Sequence, residues 1–436
     1  MFTAAEIAKA VNGELVSGSQ KIKGVSTDSR TTKKGELFIP LAGPKFDGHN
    51  HIIEAIKKGA VCVLFSNAHP DANINGCAFI KVKNTLTALQ DIAKHHRNKF
   101  KLPIIGVTGS SGKTTTKDII AAILSKEFNV LKNEENLNNE IGVPLTLLKL
   151  NKKHEAAVIE MAMQDLGEIA ELADIVKPHI AVITNIGEAH LEFLKNLKNT
   201  AKAKSEIFKN LQNGDFAIIN QDDEFFEHLK SGARKNGAKI ITFGIIEKAD
   251  ITPKDLKGIK LSLPGEHNIY NALAAIAVAN LFNVKKASVK SALESFVPSS
   301  KRFIVFNRED KVKIIDDTYN ANPQSMKAAL SVLASLKGRK IAVLGDMLEL
   351  GKTAKPAHKK IGQFARKLGI DKIISVGALS KEIKADYHFP NNQDAAIKLK
   401  EIIKSGDRVL IKGSRGMHLE EIVQPLIEKQ NLIVLE

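Results

Sequence analysis

Short apolar runs rich in Ile, Val, Leu and Ala recur along the chain, and most are followed by a stretch whose apolar residues return with helical spacing. In the middle of the sequence these runs are Ile104–Thr108, Ala156–Glu160, 180–185, Phe216–Asn220 and Lys239–Phe243. Runs without polar alternation are buried on both sides, so the pattern predicts a mostly parallel sheet with helices on both faces. The alternation repeats at 312–316, 341–344, Lys372–Val376 and 409–412, which reads as a Rossmann-like block. The start of the chain is different: runs at 37–41, 61–65 and 79–82 and one helical pattern at 51–58 give a small α/β unit, preceded by an amphipathic helix over 1–18. A helical stretch at 84–100 ends before Pro103, and the pattern breaks again at 298–302. The expected fold is therefore α/β in three domains, residues 1–82, 83–302 and 303–436. Parallel sheets of this kind present ligand-binding side chains at the carboxyl ends of their strands.

Composition supports this size of protein and narrows its partners. The 436 residues, 43% hydrophobic and 26% charged, can fill a core in each domain. Lys and Arg number 64 against 48 Asp and Glu, a net charge of +16, which admits anionic partners. The charges are scattered, however, and read as solvated surface; nucleic acid is not an expected partner. Cys62 and Cys77 have no companion residues at metal-ligand spacing and read as reduced buried thiols. No signal peptide and no membrane-length apolar run is visible, so a cytoplasmic protein without membrane insertion is expected; a monomer is the expected state.

The sharpest local feature is G-V-T-G-S-S-G-K-T-T-T at 106–116, between an apolar run and a helical pattern. The usual phosphate loop has a glycine five residues before its Gly-Lys pair, where this chain has Val107, so the loop is a shortened one that starts at Gly109. A strand, a Gly-rich turn and a helix N-terminus together aim backbone N–H groups at an anion. Thr108, Gly109, Ser110, Ser111, Gly112 and Thr115 would line the phosphates, Lys113 would reach the terminal ones and Thr114 would offer a hydroxyl to Mg²⁺. The plainer alternative is a tight turn with an exposed lysine.

Other polar positions fall at strand ends or helix starts. Glu160 ends one apolar run, in E-M-A-M-Q, and His190 follows another, in T-N-I-G-E-A-H-L-E. Asn268 and Asn271 in G-E-H-N-I-Y-N-A share a helix face. Arg302 stands at the second break; D-D-T-Y-N-A-N-P-Q-S-M follows at 316–326, and S-T-D-S-R lies at 26–30. Each also has a structural use: a core histidine, helix caps, an interdomain ion pair, an Asx turn ahead of Pro323, a solvated turn.

Taken in order along the whole chain, these motifs resemble those of the Mur ligase superfamily, which includes enzymes of peptidoglycan precursor synthesis and folylpolyglutamate synthase. The resemblance implies an ATP-dependent amide ligase in which Glu160, His190 and Thr114 hold Mg²⁺. In A-K-A-K-S-E-I-F it implies a carbamylated lysine, with Lys202 and Lys204 both available and Lys204 better placed. It assigns Asn268, Asn271, Arg302, Asp317, Tyr319 and Asn320 to the nucleotide. The D-D-T-Y-N-A-N-P version is that of the last amino-acid-adding step, which implies UDP-N-acetylmuramoyl-tripeptide and D-alanyl-D-alanine as substrates. Thr27, Ser29, Arg30, Asp47, His49 and Asn322 are then the residues expected at substrate. The loops V-L-G-D-M-L-E-L-G at 343–351, with His358 after it, and I-K-G-S-R-G-M at 411–417 open on one sheet edge, and the acceptor contacts stay open. Another ligase of the superfamily, or a nucleotide-hydrolysing switch with a basic surface, are the alternatives.

Overall fold

A computed structural model describes residues 2–66, 76–134, 136–298 and 301–427. The break expected at 298–302 and the end of the third domain thus lie partly outside the described residues. Two compact units emerge: residues 1–106, 128–162 and 170–179 form one, and 107–127, 163–169 and 180–436 the other. Their limits do not follow the three sequence blocks.

In the first unit a five-stranded sheet runs in the order Glu14–Ser17, Ala78–Lys81, Cys62–Phe65, Glu36–Phe38, Gly24–Ser26. Alternate residues of one strand feed different cores: Cys62 and Leu64 pack with helix Thr85–Arg97, while Val63 and Phe65 pack with Ile52 and Ala55. The expected helix over 1–18 is shorter than its pattern. It spans Ala4–Ala10, since Asn12 takes a left-handed φ of 48° and the chain turns into Glu14–Ser17. Asn84 caps helix Thr85–Arg97 by accepting from the Thr87 N–H at 2.9 Å. Strand Ala156–Glu160 also belongs here and pairs in parallel with Val130–Lys132.

In the second unit Ile180–Ile183, Phe216–Asn220 and Lys239–Phe243 pair in parallel, as their unbroken apolar runs require. A six-stranded sheet follows, ordered Ile304–Asn307, Lys313–Asp317, Arg408–Lys412, Lys340–Gly345, Lys372–Val376, Tyr387–Phe389; only its first pair is antiparallel. Ile315, Leu410 and Leu344 point into a core with helices Pro323–Ser335 and Ala354–Lys367. Ile314, Val409 and Val343 point the other way, against Asn392–Ile402 and Glu420–Ile427. Helices cover both faces, which leaves the strand ends as the place for polar chemistry.

Candidate active site

The loop at 106–116 is shaped by its neighbour in the second unit. The Thr184 N–H donates to the Thr108 carbonyl at 3.0 Å and the Ser110 N–H to the Asn185 carbonyl at 2.9 Å, which extends strand pairing into the loop. Asn185 then holds Ser111 twice, accepting from its N–H at 3.0 Å and donating to its carbonyl at 3.0 Å. Gly109 (φ 152°) lies against Thr184, and Gly112 (φ 77°) against the Asn271 amide; a Cβ at either would collide. Gly112 immediately precedes helix Lys113–Leu124, so the N–H groups of the first turn face the loop. Lys113 Nζ donates to the Gly109 carbonyl at 2.9 Å, folded across the same loop. Thr184 and Asn185 are the polar end of the apolar run at 180–185, and that place at a run's carboxyl end is the signal the sequence carries for them.

Asn268 and Asn271 do share one helix face, and they are linked: Asn271 donates to Asn268 Oδ1 at 3.0 Å and accepts from Thr116 Oγ at 3.1 Å. Both are buried. The pair ties helix Glu266–Leu281 to the helix that follows the loop.

Lys204 is 2% exposed, whereas Lys202 on the same short helix is exposed. Burial pushes the Lys204 ammonium well below its ordinary value, and the positive charge of Lys113 pushes the same way. Burial and the Lys113 charge both work against a positive charge on this side chain.

Glu160 ends its strand with 1% exposure. Asn138 donates to its Oε1 at 2.8 Å, while Asn133 brackets its backbone, accepting from the Glu160 N–H at 2.9 Å and donating to its carbonyl at 3.0 Å. His190 stands at the start of helix Leu191–Leu194 with φ 54°. Its Nδ1 lies 2.6 Å from Oε2 of Glu349, an ion-pair distance off the hydrogen-bond axis. The imidazole in turn holds the Glu349 carboxyl below its usual range.

The third sequence block contributes a compact polar group. Lys412, 3% exposed, donates to Asp317 Oδ2 at 2.6 Å and to the Asn320 carbonyl at 2.9 Å. The two charged residues sit opposite each other in parallel register at the carboxyl ends of adjacent strands. In the sequence Lys412 is one residue of the I-K-G-S-R-G-M loop, with nothing local to mark its partner. The Arg302 guanidinium lies 3.7 Å over the Tyr319 ring, a cation–π stack that fixes both side chains. Asn322 caps helix Pro323–Ser335 through the Ser325 N–H at 2.8 Å, and its amide also reaches the Ser110 carbonyl at 3.4 Å. Capping is thus one role that Asn322 does fill, and the same residue touches the 106–116 loop.

In the first unit the expected residues form two small groups. Asp47 accepts from the His49 N–H at 2.9 Å and lies 2.6 Å from its Nδ1. Asp28 pairs with the exposed Arg30 at 2.8 Å. Glu54 connects the segments: it accepts from Ser29 Oγ at 2.9 Å and lies 3.4 Å from His51, two positions past His49. Thr27 is half-buried on the same segment.

Hydroxyl, carboxylate and imidazole donors are present in Thr114, Glu160 and His190, of which Thr114 is 2% exposed. No group of three His, Cys, Asp or Glu side chains placed to hold a metal occurs among the described residues. Mg²⁺ at phosphates uses one or two carboxylates, completing its shell with water and phosphate oxygens, and the Thr114 hydroxyl and the Glu160 carboxylate are each oxygen donors of the kind it takes.

Comparisons with known proteins bear on the whole chain. Family models described as Mur ligase family, catalytic domain, Mur ligase middle domain and Mur ligase, glutamate ligase domain match residues 21–97, 107–279 and 301–415. The UDP-N-acetylmuramoyl-tripeptide–D-alanyl-D-alanine ligase of Bacillus subtilis is 37% identical, with 98% of each chain covered. That of Escherichia coli is 35% identical, again over 98% of each. A MurF crystal structure from Acinetobacter baumannii superposes with a TM-score of 0.90 at 33% identity, covering 98% of this chain and 99% of that one. MurF from Thermotoga maritima, in complex with ADP, gives 0.83 at 29% identity over 93% and 97%.

Proposed function

This chain belongs to the Mur ligase family, and we propose that it joins D-alanyl-D-alanine to UDP-N-acetylmuramoyl-tripeptide at the cost of ATP, making the pentapeptide precursor of peptidoglycan. The observation that carries the reading is similarity to ligases of that name along almost the entire chain. It does not favour a sister ligase or a nucleotide switch. Residues of both units supply the groups such a reaction needs.

ATP is placed by the 106–116 loop. The first-turn N–H groups and Lys113 take the β- and γ-phosphates, Lys113 exchanging the Gly109 carbonyl for phosphate oxygen. Asn268, Asn271, Arg302, Asp317, Tyr319 and Asn320 surround the rest of the nucleotide. A carboxylate oxygen of the tripeptide attacks the γ-phosphorus and the bond to the β-phosphate oxygen breaks, giving an acyl phosphate and ADP. The amine of D-alanyl-D-alanine then attacks the acyl carbon and loses a proton. The C–O bond to phosphate breaks, and an amide and inorganic phosphate remain.

Thr114, Glu160 and His190 would hold a Mg²⁺ whose chemistry is to neutralise charge on the transferring phosphoryl group. Lys204, as a carbamate, would add negative charge for a second ion. Thr27, Ser29, Arg30, Asp47 and His49 hold the UDP-sugar, Glu54 braces Ser29, and Asn322 meets substrate besides capping its helix. Three domains at 1–82, 83–302 and 303–436 divide these tasks. No described helix is long and apolar enough to cross a membrane; the enzyme works as a cytoplasmic monomer, independent of nucleic acid.

Phosphate release, measured with UDP-muramoyl-tripeptide and D-alanyl-D-alanine added singly and together, tests the reading. Release is expected only with both; turnover indifferent to D-alanyl-D-alanine would refute it. Glu160→Gln, which keeps the Asn138 contact, should lower turnover by about 10³ or more while Tm moves by only a few degrees.

A further inference from the structure

The 345–351 loop of the second unit is pinned along its stem. Asp346 accepts from the Leu379 and Ser380 N–H groups at 3.1 and 2.6 Å. The Met347 N–H donates to His358 Nε2 at 2.9 Å, and the Leu348 N–H to Ser414 Oγ at 2.9 Å. These contacts deliver Glu349 to the tip in a left-handed conformation, φ 61°, where glycine or asparagine is the relaxed choice. Strain of that kind persists when the surroundings over-determine it, and it concentrates at functional positions.

Glu349 meets the His190 segment in three ways. Its carboxylate lies 2.6 Å from His190 Nδ1. Its carbonyl accepts from the Glu192 N–H at 3.0 Å. Two residues on, Gly351 sits so close to helix Leu191–Leu194 that an added Cβ would be 3.1 Å from the Glu192 Cα. His190 is itself left-handed, φ 54°, so two strained residues face each other.

We propose that Glu349 is a positioning residue for the metal site: its carboxylate engages His190 from the Nδ1 side, leaving Nε2 for the divalent cation. This rests on the reading of His190 as a metal ligand. A carboxylate behind a ligating histidine fixes the ring and raises its basicity, and loss of such a partner weakens metal binding by about 10–100-fold. Because Glu349 arrives on a loop held by His358 and Ser414, the docking of that loop and the binding of the cation favour each other.

The test uses the full chain with ADP and Mn²⁺ as the probe, free Mn²⁺ being counted by electron paramagnetic resonance. Glu349→Gln and Glu349→Asn should each bind Mn²⁺ about 10-fold or more weaker than the wild type. Glu349→Asn should do so without a lower Tm, since asparagine suits the left-handed backbone. Affinity within twofold of wild type in both variants overturns the proposal. So does a loss that comes with a lower Tm in Glu349→Asn, which would make the residue merely structural. Neither measurement needs the peptide substrates. Weakened Mn²⁺ binding therefore upholds the inference even where the phosphate-release assay rejects the proposed substrates.

Discussion

Nδ1 of His190 and Oε2 of Glu349 stand 2.6 Å apart although they lie 159 positions apart in the chain (349 − 190 = 159), and each holds a left-handed backbone, φ 54° and 61°. The contact joins the segment after strand Ile180–Ile183 to the loop after strand Lys340–Gly345, both at carboxyl ends of parallel strands. Chemistry assembled this way can be disabled by residues that never touch a substrate, and the following outcomes are expected.

Lys204→Met should stabilise the protein by about 1 kcal/mol, because a buried amine that resists protonation is replaced by an apolar chain of similar length. The same change should abolish phosphate release. Urea unfolding beside the turnover assay checks both, with Lys202→Met, at an exposed position, as the control that changes neither. Full activity in Lys204→Met would remove Lys204 from the mechanism.

Gly112→Ala combines a backbone penalty of about 1–2 kcal/mol with a collision against the Asn271 amide. ADP affinity, measured by calorimetry, should fall at least about 10-fold, as the shift moves the first-turn N–H groups.

Lys412→Met leaves the Asp317 carboxylate without its cation where the Lys412 side chain was 3% exposed. A loss of roughly 3 kcal/mol in urea unfolding is expected. Asp317→Asn in the same chain should recover part of that loss, and additive effects of the two changes would show that the pair is not coupled.

His358 gives a pH signature. Burial lowers its imidazole from the ordinary value of about 6.5, and the Ala354 carbonyl, Asp346 and Glu382 oppose the shift; Nε2 accepts from the Met347 N–H. The unfolded chain binds this proton first, so the contribution is complete above about pH 6.5 and is lost as pH falls through the window down to the lowered value. His358→Gln should flatten the stability profile in that window by up to about 1.4 kcal/mol per pH unit. His96 and His267 shift in the same direction and remain in both proteins, so the difference profile isolates His358. Parallel profiles would refute the assignment.

Sequence alone determined the α/β class, the parallel strands and the loop at 106–116, because unbroken apolar runs and a Gly-Lys-Thr turn are local and allow few other structures. It identified Asn268 and Asn271 as one face of a helix for the same reason. It overextended the first helix, since amphipathic spacing does not show where Asn12 turns the chain left-handed. Only the tertiary structure showed that Lys204 is buried while Lys202 is exposed, because burial depends on what packs around a helix and not on its own residues. It also supplied the partners that sequence order cannot pair: Asn185 with Ser111, Lys412 with Asp317, Glu54 with Ser29, Glu349 with His190. Each joins side chains or loops at distant points of the chain, and the folding of strands into sheets is what brings them within reach.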